Sequence, residues 1–136
     1  HIFFKDGWYG FDDGMYTGAR MAKLLAAQQQ SLSEVFSAFP DSVNTPELKL
    51  KVAEERKFAL MQKIVDQARF HDALEIIKID GLRVHFAKGW GLIRPSNTTP
   101  CLILRFEADT ETDLEYVQEQ FRAQLLWVDS GLTLPF

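Results

Sequence analysis

The apolar and polar positions in the second part of the chain predict alternating strands and helices. Apolar and charged residues alternate over 47–52, which is the pattern of a strand with one buried face. Apolar residues recur at helical spacing over 54–69 and again over 110–128. Four further strands are predicted between these helices, at 75–79, 82–86, 89–93 and 101–106. The order β-α-β-β-β-β-α predicts an α+β fold, an antiparallel sheet carrying two helices, most simply on one face.

Local signals refine these elements. The helix over 54–69 has one predicted apolar face, formed by Phe58, Met61, Ile64, Val65 and Ala68. Asp80-Gly81 is typical of a two-residue hairpin turn between the strands on either side of it. Thr110, followed three residues later by Asp113, is a variant of the capping box and predicts where the last helix begins.

The first forty residues give a less complete pattern. Residues 1–9 are aromatic and strand-like, and small and apolar residues at helical spacing predict a helix over 15–26. Gly18 lies inside that helix, where close packing is the usual reason for tolerating a glycine. A short helix is predicted over 32–39. Because the chain opens inside a predicted strand, we expect it to be a piece of a longer protein.

Two prolines mark the clearest break in the sequence. Pro40 and Pro46 stand within seven residues of each other, with several turn-forming residues between them. We therefore expect two domains, 1–40 and 41–136. The first would be an incomplete strand–helix domain that exposes apolar surface, and the break would act as a hinge.

Composition and charge exclude several classes of protein. Of the 136 residues 46% are hydrophobic and 25% are charged, a globular mix, and no apolar run approaches the ~18 residues of a membrane helix. The net charge of −4 argues against a mainly electrostatic nucleic-acid binder. A single cysteine excludes an internal disulfide framework and a thiolate zinc site. The sequence therefore predicts neither nucleic-acid nor membrane partners.

The loop 94–100 has the composition of a phosphate site. It carries a guanidinium, three hydroxyls and a carboxamide, and its two prolines stiffen it. Arginine can bind two phosphate oxygens at once, and hydroxyls and backbone N–H groups can bind others. On composition alone, however, an ordinary polar turn between two strands accounts for the loop better than a phosphate site does.

The other candidate residues are weaker. His1 at a strand end could act as a general base, although an ordinary terminal residue is the simpler interpretation. His71 and His85 lack metal-ligand spacing, and we expect His85 to face solvent. Cys101 begins an apolar strand and is interpreted as core packing. The pair 12–13 is better explained as a helix cap than as catalytic carboxylates.

Longer motifs resemble a known family. The segment 89–100 reads Gly-Trp-Gly-Leu-Ile-Arg-x-Ser-Asn-Thr-Thr-Pro, and 102–110 reads Leu-x-Leu-Arg-Phe-Glu-Ala-Asp-Thr. Together they closely resemble the C-terminal domain of the bacterial phosphomannomutase/phosphoglucomutase family of α-D-phosphohexomutases. Residues 1–5 and 9–14 resemble the segment at the end of this family's Gly-Glu-Met-Ser-Gly-His sugar-recognition motif, of which only the His is present here. The resemblance covers nearly the whole chain in matching order and reverses the preference for an ordinary turn.

The resemblance implies a fold and an activity. Residues 1–40 would be the tail of a third α/β domain, and 41–136 a fourth domain resembling the TATA-box-binding protein. Family members interconvert hexose 1-phosphate and hexose 6-phosphate through a phosphoserine and a bisphosphorylated sugar, with Mg²⁺ bound by aspartates in the earlier domains. Hexose 1,6-bisphosphate would serve as activator and intermediate. Hexose phosphate and the remaining domains would be the partners, in the cytoplasm.

The resemblance also assigns functional roles to individual residues. It assigns no metal ligand to this chain. Arg94, Ser96, Asn97 and Thr98 match ligands of the phosphate that is not being transferred, with Thr99 as a further candidate. His1 matches a family histidine near the reacting phosphoryl group, a candidate for proton transfer. These loop residues would be exposed, so we expect their substitution to leave folding stability nearly unchanged.

Two departures from the family qualify this assignment. Pro95 stands where relatives usually have a small residue, and it removes a backbone donor while favouring extended geometry at Arg94. The phosphoserine motif and the aspartate metal loop are both absent from the sequence, so we expect the chain alone to be inactive. The alternative is a free-standing α+β module that binds a phosphorylated ligand without turnover, and the sequence encoded just before His1 would decide between them.

Overall fold

The computed structural model describes residues 1–28 and 30–136, which divide into two compact units, His1–Pro40 and Asp41–Phe136. The first unit contains two helices, α1 (Gly14–Ala26) and α2 (Leu32–Phe36). The second contains six strands and two helices: β1 (Val43–Asn44), β2 (Leu48–Lys51), α3 (Glu54–Gln67), β3 (Glu75–Ile77), β4 (Leu82–Phe86), β5 (Gly89–Pro95), β6 (Cys101–Ala108) and α4 (Glu111–Val128).

Local hydrogen bonds account for the helices of the first unit. The Asp13 carboxylate accepts from the Tyr16 N–H at 2.9 Å and caps α1. A complete capping box between Ser31 and Glu34 starts α2, which ends at Phe36 and is three residues shorter than predicted. Both helices therefore begin where a side chain satisfies backbone N–H groups that would otherwise lack a partner.

Two expectations for the first unit are wrong. The strand predicted over 1–9 is reduced to a single antiparallel bridge between Phe3 and Asp12, because no second strand of the unit extends it among the described residues. Gly18 has nothing within 4 Å of the position its Cβ would occupy, so close packing does not explain this glycine in the described part of the chain.

The apolar side chains of the first unit are largely exposed. No residue of α1 or α2, all of which the structure describes, is buried. The exposed large apolar side chains of this unit are Ile2, Phe3, Tyr9, Phe11, Met15, Met21, Leu24, Leu32, Phe36 and Phe39. The unit therefore has helices without a core of its own.

The second unit is an antiparallel sheet covered on one face. Its strand order is β1-β6-β5-β4-β3, and β2 also pairs with β6, which is central. Alternate strand residues and the apolar faces of α3 and α4 form one core, which includes Leu50, Ile64, Val84, Ile93, Leu104, Phe106 and Phe121. The predicted α+β fold, with both helices on one face, is confirmed.

One side chain determines the short strand β1, which the sequence pattern did not predict. Buried Thr45 accepts a hydrogen bond from the Phe106 N–H through its Oγ1 at 3.1 Å, and its own N–H donates to the Phe106 carbonyl at 3.0 Å. These bonds attach the segment just after Pro40 to the middle of the sheet.

The predicted face of α3 is right for Met61, Ile64 and Ala68, which are buried, and wrong at its N-terminal end. Phe58 is 57% exposed, whereas Lys57 is 1% exposed and lies on the same face as Leu60 and Ile64. Lys57 can be buried because its ammonium group has hydrogen-bond partners in this position.

Candidate phosphate-binding loop

The candidate loop connects β5 and β6. The Ser96 N–H donates to the Cys101 carbonyl at 3.0 Å and closes the loop at its base. Strand β5 continues through Arg94 and Pro95, pairing with Ile103 and Leu102 of β6. Arg94 therefore belongs to the rigid sheet and not, as the sequence suggested, to the loop itself.

Ser96 and Thr99 determine the shape of the loop. The Ser96 hydroxyl accepts from the N–H groups of Thr98 at 3.3 Å and Thr99 at 3.1 Å, and it shares a 2.7 Å hydrogen bond with the Thr99 hydroxyl. Ser96 is 7% exposed. We expected every residue of this loop to be exposed and to contribute little to folding stability. This is wrong for Ser96, which is buried and whose hydroxyl accepts from two backbone N–H groups.

Asn97 and Thr98 are exposed at the tip of the loop. Within the described residues, neither side chain makes a hydrogen bond with the rest of the protein. Their carboxamide and hydroxyl groups are free to bind a ligand, while Ser96 and Thr99 maintain the backbone that presents them.

A hairpin turn lies directly against Arg94. Asp80 and Gly81, with φ angles of 53° and 122°, lie in the connection between β3 and β4. Because β3 ends at Ile77 and Ile77 is paired with Arg83, this connection spans 78–81 and is longer than the predicted two-residue turn. A Cβ atom at Gly81 would lie 2.3 Å from the Ile93 carbonyl oxygen and 2.8 Å from the Arg94 Cα. The Asp80 carboxylate lies 3.9 Å from the Arg94 guanidinium. The turn thus restrains the backbone of Arg94 and provides a weak counter-charge for its side chain.

The surroundings of Arg94 are basic. Arg94 and Lys49 are both paired with Ile103, so they lie in one row on the helix-free face, and Lys51 is paired with Cys101 next to it. A cavity of about 550 Å³ adjoins the loop between Lys49, Lys51 and the segment 99–101. These cations favour an anion at this end of the sheet.

His1 belongs to the other unit, where Asp12 orients it. The His1 Nδ1 is hydrogen-bonded to the Asp12 carboxylate, which also accepts from the Ile2 N–H at 3.2 Å. The helix-cap interpretation of the aspartate pair is therefore right for Asp13 and wrong for Asp12. Only the sequence spacing of eleven residues links His1 to Asp12, and no local pattern would have indicated the contact.

The remaining candidates do not form a site. His85 is half-buried, because the Arg83 Nε donates to its Nε2 at 2.9 Å and the same guanidinium stacks 4.0 Å above Trp90. The prediction that His85 faces solvent is wrong in this respect. Cys101 is buried, as expected of core packing. Among residues 1–28 and 30–136, no group of three or more His, Cys, Asp or Glu side chains could hold a metal ion.

Comparison with known proteins identifies the family to which this chain belongs. The family model described as phosphoglucomutase/phosphomannomutase, C-terminal domain, matches residues 47–124. The chain belongs to the phosphoglucomutase/phosphomannomutase family. The match includes α3, the loop with Arg94 and most of α4, so the predicted family and the C-terminal domain assignment are confirmed.

Individual relatives agree with the family model. A phosphomannomutase/phosphoglucomutase of Pseudomonas aeruginosa is 49% identical over 136 residues, and a phosphoglucomutase of Neisseria meningitidis is 50% identical over 124 residues. A crystal structure of a family protein from Burkholderia thailandensis superposes with a TM-score of 0.89 at 46% identity over the whole chain. The chain spans 29% of the Pseudomonas protein, 27% of the Neisseria protein and 28% of the Burkholderia chain.

Proposed function

We propose that this chain is the C-terminal part of a phosphohexomutase that interconverts hexose 1-phosphate and hexose 6-phosphate of glucose or mannose. The proposed reaction runs through a phosphoserine and a bisphosphorylated sugar. In it, residues 41–136 bind the substrate phosphate that is not being transferred and close the active site. The observation that carries the proposal is the loop whose shape is fixed by Ser96 and Thr99 while Asn97, Thr98 and Arg94 keep donors available.

This arrangement suits a phosphate dianion. Arg94 can donate two parallel hydrogen bonds, and Asn97 and Thr98 add neutral donors from a second direction. Because the loop is already ordered by its own hydrogen bonds, little conformational entropy is lost on binding. Phosphoryl transfer depends on placement and charge stabilisation more than on covalent help, so such a clamp would contribute directly to turnover.

The other roles are divided between the two units and the rest of the protein. Residues 1–40 would complete a third α/β domain, in which His1, oriented by Asp12, exchanges a proton with the sugar hydroxyl. The described residues do not fit a Mg²⁺ site, so we assign that ion and the phosphoserine to the part of the protein that this chain does not span. We place the reaction in the cytoplasm, as the family resemblance implies. Separately, none of the helices among the described residues is both long and apolar enough to cross a bilayer.

The decisive test is Arg94→Ala in the full-length enzyme. We expect kcat/KM to fall by about 10- to 150-fold, the loss expected for a charge-assisted hydrogen bond of roughly 1.5–3 kcal/mol. Arg94→Lys should recover only part of the loss, because it keeps the charge without the two-pronged geometry. A variant that instead loses several degrees of melting temperature with intact kinetics would show that the residue is structural.

Arg122→Ala is a matched control. The Arg122 side chain is 37% exposed, as is that of Arg94, and each lies near one carboxylate, Glu119 or Asp80. Arg122 is on α4, on the opposite side of the sheet from the basic row. Its removal changes the net charge equally and should leave kcat/KM unchanged.

The 136-residue chain alone should show no turnover of glucose 1-phosphate with Mg²⁺ and hexose 1,6-bisphosphate, because neither phosphoryl carrier nor metal ligands are in its sequence. It should still bind inorganic phosphate in an Arg94-dependent way. Turnover by a preparation free of host mutase would overturn the division of roles proposed here.

A further inference from the structure

Lys57 is a buried cation directly behind the candidate loop. Its side chain is 1% exposed, and its Nζ donates to the Glu54 carboxylate at 2.7 Å and to the Thr99 carbonyl at 3.2 Å. Lysine is rarely buried unless its charge is paired, and a buried ion pair is no more stabilising than well-packed apolar side chains. Fold stability alone therefore gives no reason for an ammonium group at this position.

The bond to Thr99 affects the surface that a ligand would meet. The Thr99 carbonyl oxygen accepts from Lys57 and, at 2.8 Å, from the Cys101 N–H, so it points into the protein. A carbonyl oxygen turned outward at this position would repel a phosphate. Lys57 thus removes a negative dipole from the outer face of the loop, while Ser96 fixes the preceding two N–H groups.

The charge of Lys57 is only partly neutralised on the loop side. The Glu54 side chain is 57% exposed, so water screens the carboxylate, whereas the ammonium group is enclosed by protein. The field of the cation therefore extends into the loop, where it adds to that of Arg94 and the lysines of β2.

We propose that Lys57 is a positioning residue of the phosphate loop. It holds the Thr99 carbonyl inward, and its positive charge, which lies behind the loop, raises the affinity of the loop for an anion. This inference rests on the proposed phosphate-binding function of the loop. Lys57 does not touch the ligand; it acts through Thr99 and through its charge.

The same helix provides a matched control. The Lys63 Nζ donates to the Val128 carbonyl at 2.6 Å, so Lys63 is also a lysine of α3 bound to a backbone carbonyl. It differs from Lys57 in being exposed and in lying at the C-terminal end of α4, away from the loop. Lys57→Met and Lys63→Met each remove one charge and one such hydrogen bond. Only the first should change binding of inorganic phosphate to the 136-residue chain, measured by NMR titration of the loop amides.

We expect Lys57→Met to weaken phosphate binding by roughly five- to tenfold, and Lys63→Met to leave it within about twofold, whatever the two do to the melting temperature. A second variant, Glu54→Gln, keeps Lys57 and removes its counter-charge. It should tighten phosphate binding about twofold or more, and by more than Glu55→Gln, which removes an exposed carboxylate of the same helical turn that is not paired with Lys57. Should Lys57→Met fail to fold, Glu54→Gln decides.

Two results would overturn the inference. One is equal phosphate affinity in wild type and Lys57→Met with Arg94→Ala still weakened, which removes Lys57 from the site and leaves the proposed function intact. The other is phosphate binding in Glu54→Gln that is no tighter than in wild type or in Glu55→Gln. If wild type and Arg94→Ala bind phosphate equally, the proposed function fails and this inference fails with it.

Discussion

The two units of the chain use the same local devices with different results. Asp13 and the Ser31–Glu34 pair start the helices of the first unit as effectively as Thr110 starts α4 in the second. Yet α4 buries five residues and the helices of the first unit, fully described, bury none. Capping determines where a helix begins, but burial depends on residues distant in the sequence, and only 41–136 contains enough of them.

Hydrogen exchange on the 136-residue chain is the strongest way to test this difference. Amide protection should be high across 47–128 and lower across 1–39 by roughly a thousandfold or more, because openings in the first unit expose no core. Comparable protection in both segments would show that the first unit is stable by itself.

A methyl group at Gly91 would test the core of the second unit. A Cβ there would lie 2.4 Å from the Phe121 ring, which packs against Phe106 with a centroid distance of 5.3 Å. Gly91→Ala should cost about 1–3 kcal/mol of unfolding free energy. The melting temperature should then fall by several degrees in thermal unfolding, and an unchanged value would mean that the ring has room to move.

Ser96→Ala should separate structural from ligand-binding residues within the loop. Removing the hydroxyl leaves the Thr98 and Thr99 N–H groups without their acceptor, at a cost of about 1–3 kcal/mol. Thr98→Ala removes a side chain that bonds nothing in the described protein and should leave unfolding unchanged. Urea unfolding of both variants measures the contrast, and equal midpoints would contradict it.

Gly18→Ala should stabilise its helix, whereas Gly91→Ala should destabilise the second unit. Nothing in the described chain lies within 4 Å of the new methyl group, and alanine is favoured over glycine inside a helix by roughly 1 kcal/mol. The helical content of α1, followed by NMR chemical shifts, should rise without any change in the melting of the second unit. A loss of helix would point to a neighbour that this unit acquires in solution.

The smallest effect that we expect is a partial fraying of α2 at low pH. Hydrogen bonds from the Ser31 hydroxyl and backbone N–H hold the pKa of Glu34 below its usual value of 4.5. A carboxyl with a lowered pKa in the folded state stabilises above its unfolded pKa, and that contribution is lost as the pH falls through the folded value. Lowering the pH from about 5 to about 3 should thus fray α2 in NMR spectra, and Glu34→Gln should remove most of this dependence.

Periodic patterns made the second unit predictable. The helical spacing over 110–128 predicted α4, and the apolar residues with that spacing are the ones the structure buries: Leu114, Val117, Phe121, Leu125 and Val128. The strand β1 escaped prediction because two residues cannot show a period and because its position depends on the Thr45 side chain, 61 residues from its partner. The strand expected over 1–9 failed for the converse reason: its pattern is present, but residues 1–28 and 30–40 contain no second strand to pair with it.

The composition of the loop predicted a phosphate site, but it could not predict which of its side chains point inward and which stay at the surface. Sequence alone cannot distinguish the hydroxyl that turns inward, at Ser96, from the one that stays at the surface, at Thr98. Lys57 did leave a signal, because it precedes Leu60 and Ile64 at helical spacing, but a charged residue on an apolar face is normally assigned to solvent. Its carbonyl partner, Thr99, lies 42 residues away.

Strand β6 connects the region next to the break between the units to the candidate loop. At one end Ala108 is paired with Val43, just after the break between the units, and at the other end Cys101 leads into the loop. Its ends are about 24 Å apart, seven steps of ~3.4 Å. A rotation of roughly 10° at the break would therefore sweep the loop through about 4 Å, more than the length of a hydrogen bond. If the break is the hinge that the sequence predicts, small angular changes there would be enough to make or release the contacts that the loop offers a ligand.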